Sequence, residues 1–168
     1  KRLEKLGCHV TYLPVDGDGL LDPGQILGVL TPKTILVSVM TANNEIGTIQ
    51  DIRGIGTICR ERGVLFHTDA TQAVGRIPVD VGEMQVDLLS CSSHKLYGPK
   101  GAGVLFVRKS NPRVRISGQT DGGGHERGMR SGTLNVPGIV GMAKAVELCI
   151  SSLDEESARL LALREKML

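Results

Sequence analysis

The 168 residues of this chain are enough for one ordinary domain with a buried core. The formal net charge of +2 argues against a strongly basic surface of the kind that binds nucleic acid or an anionic membrane. Four cysteines lie far apart without CxxC spacing, and no apolar run is long enough for a membrane span. We therefore expect an intracellular protein with reduced, mostly buried cysteines.

The first forty residues alternate between helical and extended patterns. The chain opens with "KRLEKLG", which is typical of the last turns of a helix that ends at Gly7. Residues 9–15, "HVTYLPV", predict a strand. The segment "DPGQILGVL" predicts a short helix that starts at Asp22 with Pro23 in its first turn. The apolar run of residues 34–40, "TILVSVM", predicts a strand that is buried on both faces.

The alternation continues through the rest of the chain. In "DIRGIGTICRERG" the apolar residues share one helical face, with Asp51 as the N-cap and Gly63 as the C-cap. Strands are predicted for "VLFHTDA", "VDLLSCS" and "GVLFV", and helices for the segment from about Pro137 and for "SLDEESARLLALREKML". This order predicts an α/β fold with a mostly parallel sheet flanked by helices. Because both ends look cut, we expect an internal piece of a longer protein.

Three predicted strands lead directly into polar clusters. The clusters contain Asn43 and Asn44, then Thr68, Asp69 and Gln72, and finally Ser92, His94 and Lys95. In open α/β sheets, ligands bind beyond the carboxyl ends of the strands. We therefore expect these amide, carboxylate, hydroxyl, imidazole and amine groups to meet at one edge of the sheet.

The pair of Lys95 and Asp69 at neighbouring strand ends has two interpretations. The simpler one is a salt bridge. The other is a site for pyridoxal phosphate (PLP), in which a lysine bonds to the cofactor aldehyde and an aspartate holds the proton on the pyridine nitrogen. Burial suits such a lysine because it lowers the pKa of the amine. Ser92, His94 and the glycine-rich turns are suitable donors to the cofactor phosphate.

Four motifs, "NNEIG", "HTDATQ", "SSHKLYGPKG" and "GGGHERGMRSGT", occur in the order and with the approximate spacing found in cysteine desulfurases of the class V aminotransferase group. The resemblance covers essentially the whole chain and is closest to the housekeeping branch that supplies sulfur for iron–sulfur clusters. It implies the large domain of a fold-type I PLP enzyme, of which residues 1–168 would be the central part. An N-terminal segment and a C-terminal small domain would then be missing.

The resemblance implies a role for each matched residue around the cofactor ring. Lys95 matches the Schiff-base lysine, which also acts as the general base. Asp69 matches the partner of the pyridine nitrogen. Gln72 matches the amide that binds the ring hydroxyl, and Asn44 matches a residue near that hydroxyl and the substrate.

Further matches concern the phosphate and the second subunit. Ser92 and His94 match phosphate contacts, and Thr133 matches a threonine that reaches the phosphate bound by the other subunit, which implies a homodimer. The implied partners are L-cysteine and a sulfur-acceptor or iron–sulfur scaffold protein, in a bacterial cytoplasm or a mitochondrial matrix. Cys91 stands where the family usually has a bulky residue, which is a mild departure.

The resemblance also implies that essential parts lie outside this chain. The cysteine that takes up sulfur as a persulfide and the arginine that holds the substrate carboxylate would follow Leu168. A ring-stacking histidine and a phosphate loop would precede Lys1. We therefore expect the fragment alone to be inactive. A selenocysteine lyase, another class V enzyme and a non-catalytic truncated relative remain alternatives, although the intact Lys95, Asp69 and Gln72 argue against the last.

Other reactive side chains have simpler interpretations. Alternation along its strand places Cys91 in the core, and Cys59 lies on the apolar face of its helix. His67 and Asp69 form an HxD pair, but no third ligand at suitable spacing supports a metal site. Lys100 lacks the strand-end serine and histidine that accompany Lys95. His125 and Glu126 are loop or interface residues.

Overall fold

The computed structural model describes residues 1–167. Its elements are α1 (Arg2–Lys5), α2 (Gly24–Val29), β1 (Leu36–Met40), α3 (Ile52–Arg62), β2 (Leu65–Asp69), β3 (Leu88–Ser92), a 3-10 turn (Ser93–Lys95), β4 (Gly103–Val107), a second 3-10 turn (Glu126–Gly128), α4 (Val136–Ser151) and α5 (Leu153–Glu165). The four strands form one sheet in the order β1-β2-β3-β4. The predicted α/β fold with a mostly parallel sheet is therefore confirmed.

The strand register brings three carboxyl ends to one edge of the sheet. Strand β2 runs parallel to both β1 and β3, with Asp69 opposite Met40 on one side and opposite Ser90 on the other. Strand β4 runs antiparallel to β3, so that its first residue, Gly103, pairs with Ser92. The segments that follow β1, β2 and β3 therefore all leave from the same edge.

Helix α3 forms as its sequence predicts. The side chain of Asp51 accepts a hydrogen bond from the backbone N–H of Gly54, and Gly63 ends the helix with a φ of 66°. The buried face of α3 packs on β2, where Phe66 is fully buried. Cys59 belongs to this cluster, which confirms its structural interpretation.

A second cluster lies on α4, β3 and the turn after β2. It contains Ala42 from the loop after β1, together with Ala70, Ala73, Leu89, Cys91, Leu96, Met142 and Ala145. Cys91 is therefore a core residue, as the alternation along β3 predicts. Leu96 is almost fully buried and anchors the segment that follows the 3-10 turn of Ser93–Lys95.

Two predictions for the extended segments are wrong. Residues 9–15 form no strand, because they pair with none of the four strands of the described sheet, and Tyr12 is mostly exposed. Strand β1 is not buried on both faces. Val37 and Val39 pack against the cluster around α3, but Leu36 and Ser38 on the opposite face are exposed. In residues 1–167, the helices and loops of the buried clusters cover only one face of β1, the face that carries Val37 and Val39.

The predicted helix boundaries shift by one or two residues. Helix α2 begins at Gly24, and the carboxylate of Asp22 accepts the N–H of Gly24 at 2.8 Å. Helix α4 begins at Val136, beside the predicted Pro137, and α5 follows at an angle of 70°. Within residues 1–167 no single helix is long and apolar enough to cross a membrane; α4 and α5 reach that length and composition only as a bent pair.

Candidate active site

Three chain segments meet at the carboxyl edge of the sheet. The backbone N–H of Thr41, just after β1, donates to the carbonyl oxygen of Asp69 at 2.8 Å. The N–H of Ala70, just after β2, donates to the carbonyl oxygen of Ser90 at 2.9 Å. These bonds continue the ladders to the strand ends and hold the loops that follow β1 and β2 beside β3.

The loop after β1 presents Asn44 on its exposed surface. The side chain of Asn43 accepts the N–H groups of Glu45 and Ile46 at 2.8 and 3.0 Å, which folds the loop into a tight turn. The buried side chain of Gln50 then fixes the base of the loop to the segment before α2 through two hydrogen bonds. Asn43 thus shapes the loop, whereas Asn44 is exposed at the site.

The end of β2 and the turn that follows it carry Asp69 and Gln72. One carboxylate oxygen of Asp69 accepts the N–H of Thr71 at 2.9 Å. Within residues 1–167, Asp69 forms no ion pair, so the salt-bridge interpretation of Asp69 and Lys95 has no support here. Gln72 is half-buried in the turn that follows. The same turn contains Arg76, which donates to the carbonyl oxygen of Lys95 at 3.4 Å.

The end of β3 and the turn that follows it carry Ser92, His94 and Lys95. Ser93 is fully buried, and its carbonyl oxygen accepts the N–H groups of Leu96 and of the glycine two residues further on. These two hydrogen bonds hold the turn around the buried Ser93. His94 and Lys95 on this turn are exposed, and Ser92 at the strand end is half-buried. Ser92 precedes the 3-10 turn without using its hydroxyl as a cap. The described residues therefore do not bury Lys95, contrary to what a desolvated lysine would require.

Thr133 is not brought to this edge by any described contact. It lies in the exposed loop before α4, where the buried hydroxyl of Ser131 accepts the N–H of Gly124 at 3.2 Å. Arg130 donates to the carbonyl oxygen of Gly132 in the same loop. The strand topology thus places six of the seven predicted site residues at or just beyond one edge of the sheet, and no described hydrogen bond links Thr133 to them.

One hydrogen-bonded row of side chains, on strands β1, β2 and β3, was not predicted from the sequence. Nδ1 of His67 lies 2.8 Å from Oγ of Ser38, and Nε2 lies 3.2 Å from Oγ of Ser90. Burial lowers the pKa of His67, and the negative charge of Asp69 opposes that shift. The period-two alternation of strands, which places His67 on the face of Asp69, was the available signal.

Within residues 1–167, neither the two buried cysteine thiols nor any group of possible metal ligands indicates a second reactive or metal-binding site. Burial raises the pKa of the Cys91 thiol, opposed by a backbone hydrogen bond from Val104. Burial, reinforced by the charge of Asp87, raises the pKa of Cys59 to about 11. No group of three His, Cys, Asp or Glu side chains within residues 1–167 is arranged to hold a metal ion.

Known proteins resemble the chain over nearly its whole length. Residues 1–167 match the family model described as aminotransferase class-V. A curated relative, cysteine desulfurase IscS of Anaeromyxobacter dehalogenans (strain 2CP-C), is 58% identical over 165 residues, which are 98% of this chain and 41% of the relative. The enzyme of the same name from Histophilus somni (strain 2336) is 56% identical over 99% of this chain and 41% of its own length.

A solved structure has the same fold. A NifS-like protein superposes with a TM-score of 0.93 at 42% identity, covering 98% of this chain and 45% of its own. The chain spans 41% of the length of the curated relatives named above. The resemblance to cysteine desulfurases expected from the four motifs is confirmed. The chain belongs to the class V aminotransferase family.

Proposed function

We propose that the protein containing this chain is a PLP-dependent cysteine desulfurase, and that residues 1–168 form the central part of its PLP-binding large domain. The observation that carries this proposal is the placement of Asp69 at the carboxyl end of β2 and of Lys95 just after the adjacent parallel strand β3. That placement occurs in a chain that is 58% identical to a cysteine desulfurase. The whole protein would convert L-cysteine to L-alanine and pass the sulfur on as a persulfide.

The donor chemistry at the strand ends fits PLP. Asp69 has a carboxylate with no cationic partner in the described part of the chain, and is therefore suited to a protonated ring nitrogen. Ser92 does not use its hydroxyl to cap the 3-10 turn, and His94 beside it is exposed; both are suitable phosphate donors. Gln72 and Asn44 supply amides beside the same edge.

Each residue then has a physical task. The charge of Asp69 holds a proton on the ring nitrogen, and Gln72 and Asn44 orient the ring through its hydroxyl. Ser92 and His94 bind the phosphate and so fix the distance between the ring and Lys95. When bound, the cofactor supplies an aldehyde for covalent attachment and a ring that withdraws electrons from the substrate. The amine of Lys95 moves a proton at the substrate Cα.

We also infer a homodimer in which Thr133 completes the phosphate site of the other subunit. Thr133 is exposed, and no described hydrogen bond ties it to the other six residues of its own chain. If the loop of one subunit contacts the other subunit, the exposed Thr133 can reach the phosphate bound there. The two-fold symmetry of a dimer would then supply one threonine to each of two sites.

The substrate and the acceptor follow from the same proposal. L-cysteine would be the substrate, since one related solved structure is SspA in complex with cysteine. A sulfur-acceptor or iron–sulfur scaffold protein would receive the persulfide sulfur. The named relatives are bacterial, which supports a bacterial cytoplasm as the site of action.

The test uses the full-length protein, supplied with PLP, L-cysteine and a thiol reductant. We expect alanine and sulfide in equal amounts, and no product from Lys95→Ala. A much higher kcat/KM with L-selenocysteine would replace the proposal by a selenocysteine lyase. Bound PLP without turnover of either amino acid would indicate a non-catalytic relative.

A further inference from the structure

A hydrogen-bonded row crosses three strands just below the candidate site. The ring of His67 on β2 lies between Ser38 on β1 and Ser90 on β3, with nitrogen–oxygen distances of 2.8 and 3.2 Å. Ser38 is the register partner of His67, and Ser90 is the register partner of Asp69. Because His67 precedes Asp69 by two residues, both side chains lie on the same face of β2. The row therefore adjoins the carboxylate that is proposed to meet the cofactor.

The surroundings of His67 suit a neutral ring. A neutral imidazole donates through one nitrogen and accepts through the other, and a serine hydroxyl can satisfy either role. Burial disfavours the charged form of His67, while the charge of Asp69 favours it. On the described strands β1, β2 and β3, Asp69 is the only charged residue on the face that carries the ring.

We propose that His67 is a positioning residue that stays neutral and thereby leaves the charge of Asp69 available to a protonated cofactor nitrogen. This inference rests on the proposed function. A protonated His67 would place a second cation beside Asp69 and would compete with the ring nitrogen for the same carboxylate. Protonation of His67 and binding of the cofactor therefore oppose each other, and this coupling is reciprocal. Ser38 and Ser90 hold the ring in place without adding charge.

The charge state is measured first, without cofactor. The full-length apo protein is labelled with ¹⁵N-histidine and titrated by NMR, and the His67→Asn spectrum identifies the His67 signal. We expect a midpoint below the usual 6.5. Asp69→Asn should lower that midpoint further, because it removes the charge that raises it. A midpoint at or above 6.5, or one that Asp69→Asn leaves unmoved, overturns the proposal.

Cofactor binding is measured second, as the dissociation constant for PLP from about pH 5.5 to about pH 8. The titration of PLP itself is common to all variants, so the comparison isolates His67. Acidification should weaken binding to the native protein about fivefold more than binding to His67→Asn or His67→Gln. The matched control is His9→Asn, at an exposed residue outside the sheet, and it should follow the native curve.

The outcomes separate this inference from the proposed function. Superimposed curves for the native protein and a folded His67 variant overturn the inference even if PLP binds tightly. A protein that binds no PLP at any pH overturns the proposed function and the role of His67 in cofactor binding. The apo titration of the native protein and Asp69→Asn decides the charge state of His67 whether or not PLP binds, and the His67→Gln spectrum identifies the His67 signal if His67→Asn does not fold.

Discussion

The backbone N–H of Thr41 donates to the carbonyl oxygen of Asp69 at 2.8 Å, while the hydroxyl of Thr41 lies 2.8 Å from that of Thr68. Thr41 and Thr68 are both buried. These bonds fix the backbone of Asp69 against the loop that carries Asn44. The Asp69 carboxylate in turn accepts the N–H of Thr71 at 2.9 Å, a bond that the amide oxygen of an asparagine can also accept, so the charge can be removed with little change of geometry.

Asp69→Asn should lower turnover by about 100- to 1,000-fold while cofactor binding is partly retained. A neutral amide has a similar shape but cannot hold a proton on the ring nitrogen by its charge. The measurement is kcat for alanine formation by the full-length protein, with PLP occupancy determined separately. Asp18→Asn, at an exposed position in the turn before α2, is the control and should be close to native. A near-native rate for Asp69→Asn would make Asp69 a structural residue only.

Lys95→Ala should abolish covalent attachment of PLP and the violet absorption that accompanies it. The amine of Lys95 is the group proposed to bond to the aldehyde, and the side chain of alanine has no amine. The measurement is the absorption spectrum, followed by borohydride reduction and peptide mapping. Lys100→Ala is the matched control, since Lys100 is also exposed in the same segment, and it should keep the native spectrum. A modified Lys100 in the Lys95→Ala protein would contradict the assignment.

Thr133 is tested in a mixed dimer that carries Thr133→Ala in one subunit and Lys95→Ala in the other. If the threonine acts across the interface, both defects fall on the site built around the Lys95→Ala subunit. The site with the intact Lys95 should then bind PLP with native affinity, as measured by the violet absorption at limiting PLP. Weak binding at that intact site would show that Thr133 acts within its own chain, and the dimer-completed site would be rejected.

Asp87→Asn should destabilise the fold by about 3 kcal/mol. The side chain of Asp87 is only 4% exposed and accepts hydrogen bonds from Arg60 at 3.2 Å and from the N–H of Phe66 at 3.0 Å, and it forms an ion pair with Nε of Arg108 at 3.2 Å. Its loss leaves two partly buried guanidinium groups without their buried counter-charge. Urea denaturation of the full-length protein measures the change. Glu147→Gln, in an exposed ion pair with Lys144, is the control and should cost less than about 1 kcal/mol.

Cys59 should resist alkylation in the folded protein at pH 8. Burial and the charge of Asp87 raise the pKa of its thiol to about 11, so the reactive thiolate is scarce. The modification rate should increase as the pH rises toward 11, and urea should make Cys59 reactive at pH 8. Peptide mapping after iodoacetamide treatment measures this. Rapid labelling of Cys59 in the folded protein at pH 8, without added urea, would contradict both its burial and its raised pKa.

Local patterns were sufficient to predict most elements. The capping residues and apolar spacing of α3 are local, so the positions of Asp51 and Gly63 could be read directly. The order of strands and helices likewise determined the α/β class, and the polar clusters after the strands located the candidate site. The family resemblance then attached a role to each residue of that site, and those roles remain proposals.

Pairing across the chain decided what local patterns could not. Residues 9–15 have the composition of a strand, but a strand requires a partner and the described sheet provides none. The run around β1 is apolar enough for burial on both faces, yet its exposure depends on which elements cover it. The contacts of His67 at the site also could not be predicted from local sequence. Its neighbours Ser38 and Ser90 are each more than twenty residues away in sequence, and only the parallel register of three strands brings their hydroxyls to its ring.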